Sequence, residues 1–187
     1  MLRSRLTLRA FIHLAMAALA RDALAEADSL KERTEAAPIE LLSRWREDVQ
    51  WKRDSLLLSD VTLDRETDAV VLGLKANSVF VGIVAGPFGK SSKHWILEFG
   101  ANSQDGLCGP ASAARLRLEK LSIPEDAPKT CESSEVAREC RRWREAAQLL
   151  YLAAARGSKG INLGDEKCDS FHIYFDPVQG QPVWWRR

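Results

Sequence analysis

The side chains best equipped for chemistry are four cysteines, at 108, 131, 140 and 168, and three histidines, at 13, 94 and 172. Cys108 lies in "QDGLCGPASAARLRLEKL" (104–121), directly before Gly109-Pro110 and an Ala-rich stretch that reads as the start of a helix. A thiol at a helix N-terminus is more acidic and a better nucleophile than an ordinary one. The competing use of the sulfur is a disulfide, and an even number of cysteines in an exported chain is the pattern of a stapled fold. Zinc sites want close pairs such as C-x2-C, whereas the gaps here are 22, 8 and 27 residues. No haem attachment motif is present, and neither a metal nor a cofactor site is expected.

"QDGLCGPASAA" resembles the active-site segment of papain-like cysteine peptidases, in particular the bacteriocin-processing type. The resemblance covers about ten residues of 187. It implies Cys108 as nucleophile and Gln104 as a contributor to the oxyanion hole. It also implies a histidine on a later strand, and His172 is the only one downstream. Asp176 cannot orient that histidine from the same straight strand, since four residues span about 13 Å. Asp165 or Asp169 would have to do so. The family places its cysteine near the start of its domain, whereas here a helix and a meander come first. Using Cys108 for catalysis would also leave one of the other three cysteines without a mate. The disulfide reading is therefore preferred, with a peptidase or amidase using Cys108 and His172 as the alternative.

Compartment follows from the N-terminus. "MLRSRLTLR" is basic, "AFIHLAMAALA" is apolar except for His13, and Ala23-Leu24-Ala25 ends in the Ala-x-Ala form of a secretory cleavage site. Arg21 and Asp22 interrupt the pattern, so a cut after Ala18 or Ala20 is an alternative. An amphipathic helix or an Arg-rich transit peptide is the competing reading. Removing residues 1–25 takes away four arginines and one acid, so 27 basic and 26 acidic residues become 23 and 25, a net charge of −2. That balance disfavours nucleic acid, which needs a clustered basic face. No later stretch approaches the ~20 apolar residues of a membrane span. A periplasmic or secreted, non-membrane-spanning product is expected.

Those groups need elements to position them. Residues 26–37 are polar and Ala-rich, a flexible lead-in, and 38–187 reads as one α+β domain. Pro38 opens a helix in which Ile39, Leu42, Trp45 and Val49 share a face to about Arg53, and 55–63 is either strand or continued helix. Strands are expected at 69–75, 79–85, 94–100, 171–175 and 182–186. They would form one antiparallel sheet of about five strands, with two or three helices mainly on one face. The helices are 38–53, one after Pro110 (Ala111, Ala114, Leu118 and Leu121 on one face), and a long one from Ser133 to Arg156. "GSKGINLGDEKC" reads as an irregular return. Cysteine pairings of 108–131 with 140–168 are favoured, because residues 131 and 140 lie roughly 10 Å apart along the helix axis. The crossed set, 108–140 with 131–168, stays open.

His172, Tyr174 and Asp176 alternate with Phe171, Ile173 and Phe175, which would leave the first three on the outer face of the last hairpin. Trp184 and Trp185 point to opposite faces, one of them outward. "AGPFGKSSKH" (85–94) lacks the spacing of a phosphate loop and offers instead a loop tipped by Phe88. His172, Tyr174, Trp184, Trp185 and Phe88 are the expected partner-binding residues. A non-catalytic envelope protein that binds another protein is the resulting expectation, as an enzyme inhibitor or immunity protein. An assembly subunit of an envelope complex is a further alternative.

Overall fold

Two adjacent β-branched runs dominate the architecture. A computed structural model of the chain describes residues 37–103, 105–121 and 137–186. Strands β1 (Gln50–Trp51) and β2 (Leu57–Ser59) both pair with β3 (Asp68–Lys75). β3 pairs in turn with β4 (Ser78–Val84), and β4 with β5 (His94–Gly100). All these pairings are antiparallel, so the expected meander is present. The β3–β4 turn is two residues long, Ala76-Asn77, with Ala76 in the left-handed region at φ +48°.

β3 and β4 are apolar without alternation because both of their faces are covered. On one face Ala69, Val71, Phe80 and Val84 cluster with Ile39, Leu41 and Leu42 of helix α1 (37–45), and with Val49 and Trp51. Gly82 makes this approach possible: a Cβ there would lie 2.6 Å from a Leu42 methyl and 2.9 Å from the Trp51 ring. The helix expected to reach Arg53 stops at Trp45. Beyond it Val49 and Trp51 are buried on either side of exposed Gln50, the period of a strand.

The expected single sheet is two sheets. The second runs β6 (Arg115–Lys120), β7 (Lys159–Gly164), β8 (Phe171–Asp176) and β9 (Gln181–Arg186), antiparallel throughout and in that order. It takes in the two strands expected at 171–175 and 182–186. It also overturns two expectations. The stretch after Pro110 is a 3-10 turn, Ala111–Ala113, followed by a strand, because Leu116 and Leu118 alternate with Arg115 and Arg117. The "irregular return" is strand β7.

Val70, Leu72, Val81, Ile83 and Phe99 of the first sheet form one cluster with Ile161, Leu163, Phe171 and Ile173 of the second. Phe171 and Ile173 therefore meet the other sheet instead of helices. Each such fully buried side chain contributes roughly 1.5–3 kcal/mol relative to exposure. Helix α2 (Ala137–Ala155) ends beside Gly157, at φ +95°, where the sequence placed its stop. Its Leu150 and Ala153 cluster with Leu121, and Leu63 and Tyr174 pack against them. The expected start at Ser133 lies outside the described residues. The described residues from Pro38 onward belong to one compact unit.

Two substitutions test these contacts by urea denaturation. Gly82→Ala drives a methyl into Leu42 and should destabilise by about 1–3 kcal/mol. Ala76→Gly removes the left-handed penalty from the hairpin turn and should stabilise by about 0.5–1 kcal/mol.

Candidate functional site

Strand register brings His172 opposite Trp185 on β9 and opposite Asn162 on β7. The imidazole stacks on the Trp185 ring, with centroids 4.2 Å apart and planes 18° from parallel. Its Nδ1 lies 2.9 and 3.0 Å from the two carboxylate oxygens of Glu119. Glu119 belongs to β6, two strands away, a span of about 9.6 Å at ordinary strand spacing. Its side chain passes over Gly160, its partner on β7, where a Cβ would lie in van der Waals contact, 3.4 Å from Glu119 Cγ. Asn162 Nδ2 donates to Glu119 Oε2 at 3.4 Å, fixing the carboxylate from the side.

A histidine held at one nitrogen by a carboxylate and braced by a ring has its orientation set. That is the base-and-orienter half of a catalytic triad. Among the described residues no hydroxyl or thiol hydrogen-bonds to His172. The orienting acid is Glu119, where the sequence suggested Asp165 or Asp169.

Cys108 is bonded to Cys168, with Cα atoms 6.0 Å apart. Both expected connectivities, 108–131 with 140–168 and 108–140 with 131–168, are thereby corrected. The reason lies in the strand pairing. Arg115, at the start of β6, pairs with Gly164, at the end of β7, so the loop entering β6 lies beside the loop leaving β7. Cys131, the Cys140 side chain and Gln104 lie outside the described residues. Cys108 leads into a 3-10 turn and a strand, so the helix whose N-terminus would have sharpened its thiol does not follow it.

The bridge sits in a polar cradle. Asp165 accepts hydrogen bonds from the amides of Gly109, Lys167 and Cys168, joining the two bridged loops through backbone as well as sulfur. Burial pushes the Asp165 carboxyl up, but these amides outweigh it and hold the group below its ordinary value. Arg186 at the end of β9 places Nη2 2.7 Å from Cys168 Sγ, donates from Nη1 to the Gly106 carbonyl at 2.7 Å, and stacks over Phe171.

The remaining expected partner-binding residues divide. Trp184 is 51% exposed and meets Phe99 and Phe171 edge-on, at 5.8 and 5.3 Å between centroids. Tyr174 is half-buried against the α2 cluster, and burial followed by the nearby Asp176 charge raises its phenol pKa. Asp176 is buried and caps the β8–β9 turn, accepting from the amides of Val178 and Gln179. Phe88 packs back against the α1 cluster instead of tipping an exposed loop. Glu119 and Asn162 carry no sequence signal as site residues, since the spacing of 111, 114, 118 and 121 fits a helix and the stretch 157–168 fits a loop. The Arg115-Leu116-Arg117-Leu118-Glu119 alternation was the signal available.

No protein-family model matches this chain, nor does any curated protein or solved structure.

Peptide mapping without reductant should recover the fragments holding residues 108 and 168 as one linked species. Replacing both cysteines by serine should cost about 4 kcal/mol for a 60-residue separation. Asp165 has a folded pKa below its ordinary 3.8, so its stabilisation is complete above that value and fades as pH falls through the lower folded one. The stability difference between wild type and Asp165→Asn should accordingly shrink on acidification below about pH 4 in chemical denaturation series.

Proposed function

We propose that this is an exported, disulfide-stapled binding protein that docks on a protein partner in the cell envelope, in the manner of an enzyme inhibitor or immunity protein. The supporting observation is Trp184, a residue 51% exposed whose ring meets Phe99 and Phe171 edge-on. A rigid aromatic loses little entropy when a partner covers it, which is why such side chains anchor interfaces. Trp185, stacked on the opposite face of the same strand, is held by His172 in a similar way.

Export is the natural companion of this reading. The bridge between Cys108 and Cys168 is compatible with an oxidising compartment, and residues 1–25 would serve as the signal. No helix among the described residues is long and apolar enough to cross a membrane. The peptidase alternative would need the Cys108 sulfur released from Cys168 and brought to His172.

A photo-crosslinking residue in place of Trp184, in cells, should yield one discrete protein adduct. The same residue in place of Leu58, which is also exposed but lies on β2, should yield none. Trp184→Ala should weaken the recovered complex by at least about 30-fold, the scale of an interface hot spot, with the thermal midpoint within a few degrees of wild type. Equal adducts from both positions, or none from position 184, would overturn the docking role of this surface. Mature protein found in the cytoplasm with residues 1–25 attached would overturn export.

A further inference from the structure

"DVTLDRETD" (60–68), the loop between β2 and β3 with the first residue of β3, carries acids at 60, 64, 66 and 68, and one carboxylate oxygen from each of Asp60, Asp64 and Asp68 lies within 4.8 Å of the others. None of the three takes part in the ion pairs among the described residues. Three carboxylates this close repel one another unless a cation or a proton intervenes.

Converging acids alone would not make a site, but two further groups in this loop lack partners. Thr62 is more than nine-tenths buried, at 8% exposure, and its hydroxyl makes no hydrogen bond of acceptable geometry. That hydroxyl faces the cluster: it leans on the Asp68 carboxylate closely enough to help lower its pKa against the raising effect of burial. Asp60 Oδ1 is likewise shielded from solvent and unpartnered, while its Oδ2 accepts from the Ser158 hydroxyl at 2.6 Å. A buried carboxylate oxygen without a donor is costly unless a cation meets it. Asp68 Oδ2 accepts from the amides of Val61 and Thr62, and Oδ1 from that of Gly86. Leu63 and Arg65 adopt φ of +69° and +76°, conformations unfavourable to both residues, and the chain curls there.

The donors are all oxygen, with no nitrogen or sulfur among them, which selects a hard cation. Ca2+ takes six to eight oxygens at about 2.3–2.6 Å in flexible geometry, which suits a mixed set of carboxylates, a hydroxyl and water. Mg2+ binds at about 2.0–2.1 Å and keeps its waters, a poor match to a hydroxyl and a carboxylate so deeply buried. We propose that the β2–β3 loop is a Ca2+ site, in which Asp60, Asp64 and Asp68 supply carboxylate oxygens and Thr62 its hydroxyl, with water completing the shell beside exposed Asp64. The bound ion would brace the first sheet against the second, because Asp60 already holds Ser158 by its side chain and the Lys159 amide by its carbonyl. This site is independent of the Trp184 surface.

The test uses the full chain freed of metal with EDTA, and Ca2+ alone as ligand. Equilibrium dialysis should find one Ca2+ per chain, with a Kd of about 10⁻⁴–10⁻³ M, as in extracellular modules. Saturating Ca2+ should raise the thermal midpoint by at least about 4 °C. Mg2+ at the same concentration should produce less than about a quarter of that shift. Asp64→Asn keeps an acceptor for the Glu66 amide, which Asp64 Oδ1 now holds at 2.9 Å, so its midpoint in EDTA should equal or exceed that of wild type. It should weaken Ca2+ binding at least about tenfold. Absence of binding and of any shift at 10 times the upper Kd would overturn the proposal. So would an equal shift in Asp64→Asn, and an equal response to Mg2+ would overturn the choice of ion.

Discussion

Burial of one apolar face of each sheet against the other is the constraint on which the rest of the molecule depends. Val70, Leu72, Val81 and Ile83 meet Ile161, Leu163, Phe171 and Ile173 in one cluster. Because side chains alternate along a strand, committing Phe171 and Ile173 to that interior forces His172 and Tyr174 to the opposite face of β8. The same logic sends Trp184 toward the Phe99–Phe171 edge and Trp185 to His172. The chemistry-bearing face of the second sheet is therefore a by-product of how its other face is buried.

β7 is tied down at both ends. At its start Ser158 and Lys159 bond to Asp60. Beyond its end Asp165 gathers three amides, and Cys168 is bridged to Cys108. Between those anchors Glu119 passes over Gly160 to reach His172. A short strand without a strong hydrophobic signature thus becomes the part of the second sheet on which both the staple and the histidine pair rely. Its position between β6 and β8 makes this possible, since the Glu119 side chain lies directly over position 160 on its way to β8.

The two polar clusters use buried aspartates in different ways. Asp165 is surrounded by amide donors that satisfy its charge, which lowers its pKa despite burial. Asp68 is more deeply enclosed and its three amides do not overcome desolvation, so its carboxyl is raised. An aspartate with its donors complete makes a structural clasp. One enclosed beside two further acids, an unpartnered hydroxyl and an orphaned carboxylate oxygen leaves electrostatic demand unmet.

Much of the local structure was legible in the chain itself. The β3–β4–β5 meander, the last hairpin, the C-terminal end of α2 and the involvement of Cys108 in a disulfide all follow from short-range signals: β-branched runs, turn residues, a terminal glycine and an even cysteine count. β6 was not legible, because its leucines at 116 and 118 fit a strand while 111, 114, 118 and 121 equally fit a helix, and only pairing with β7 decides between them. The partner of Cys108, the acid that holds His172, the division into two sheets and the inward fold of Phe88 were all decided by tertiary structure. Each depends on which segments, distant in sequence, become neighbours when two apolar faces close on one another, and residue spacing along the chain carries no information about that.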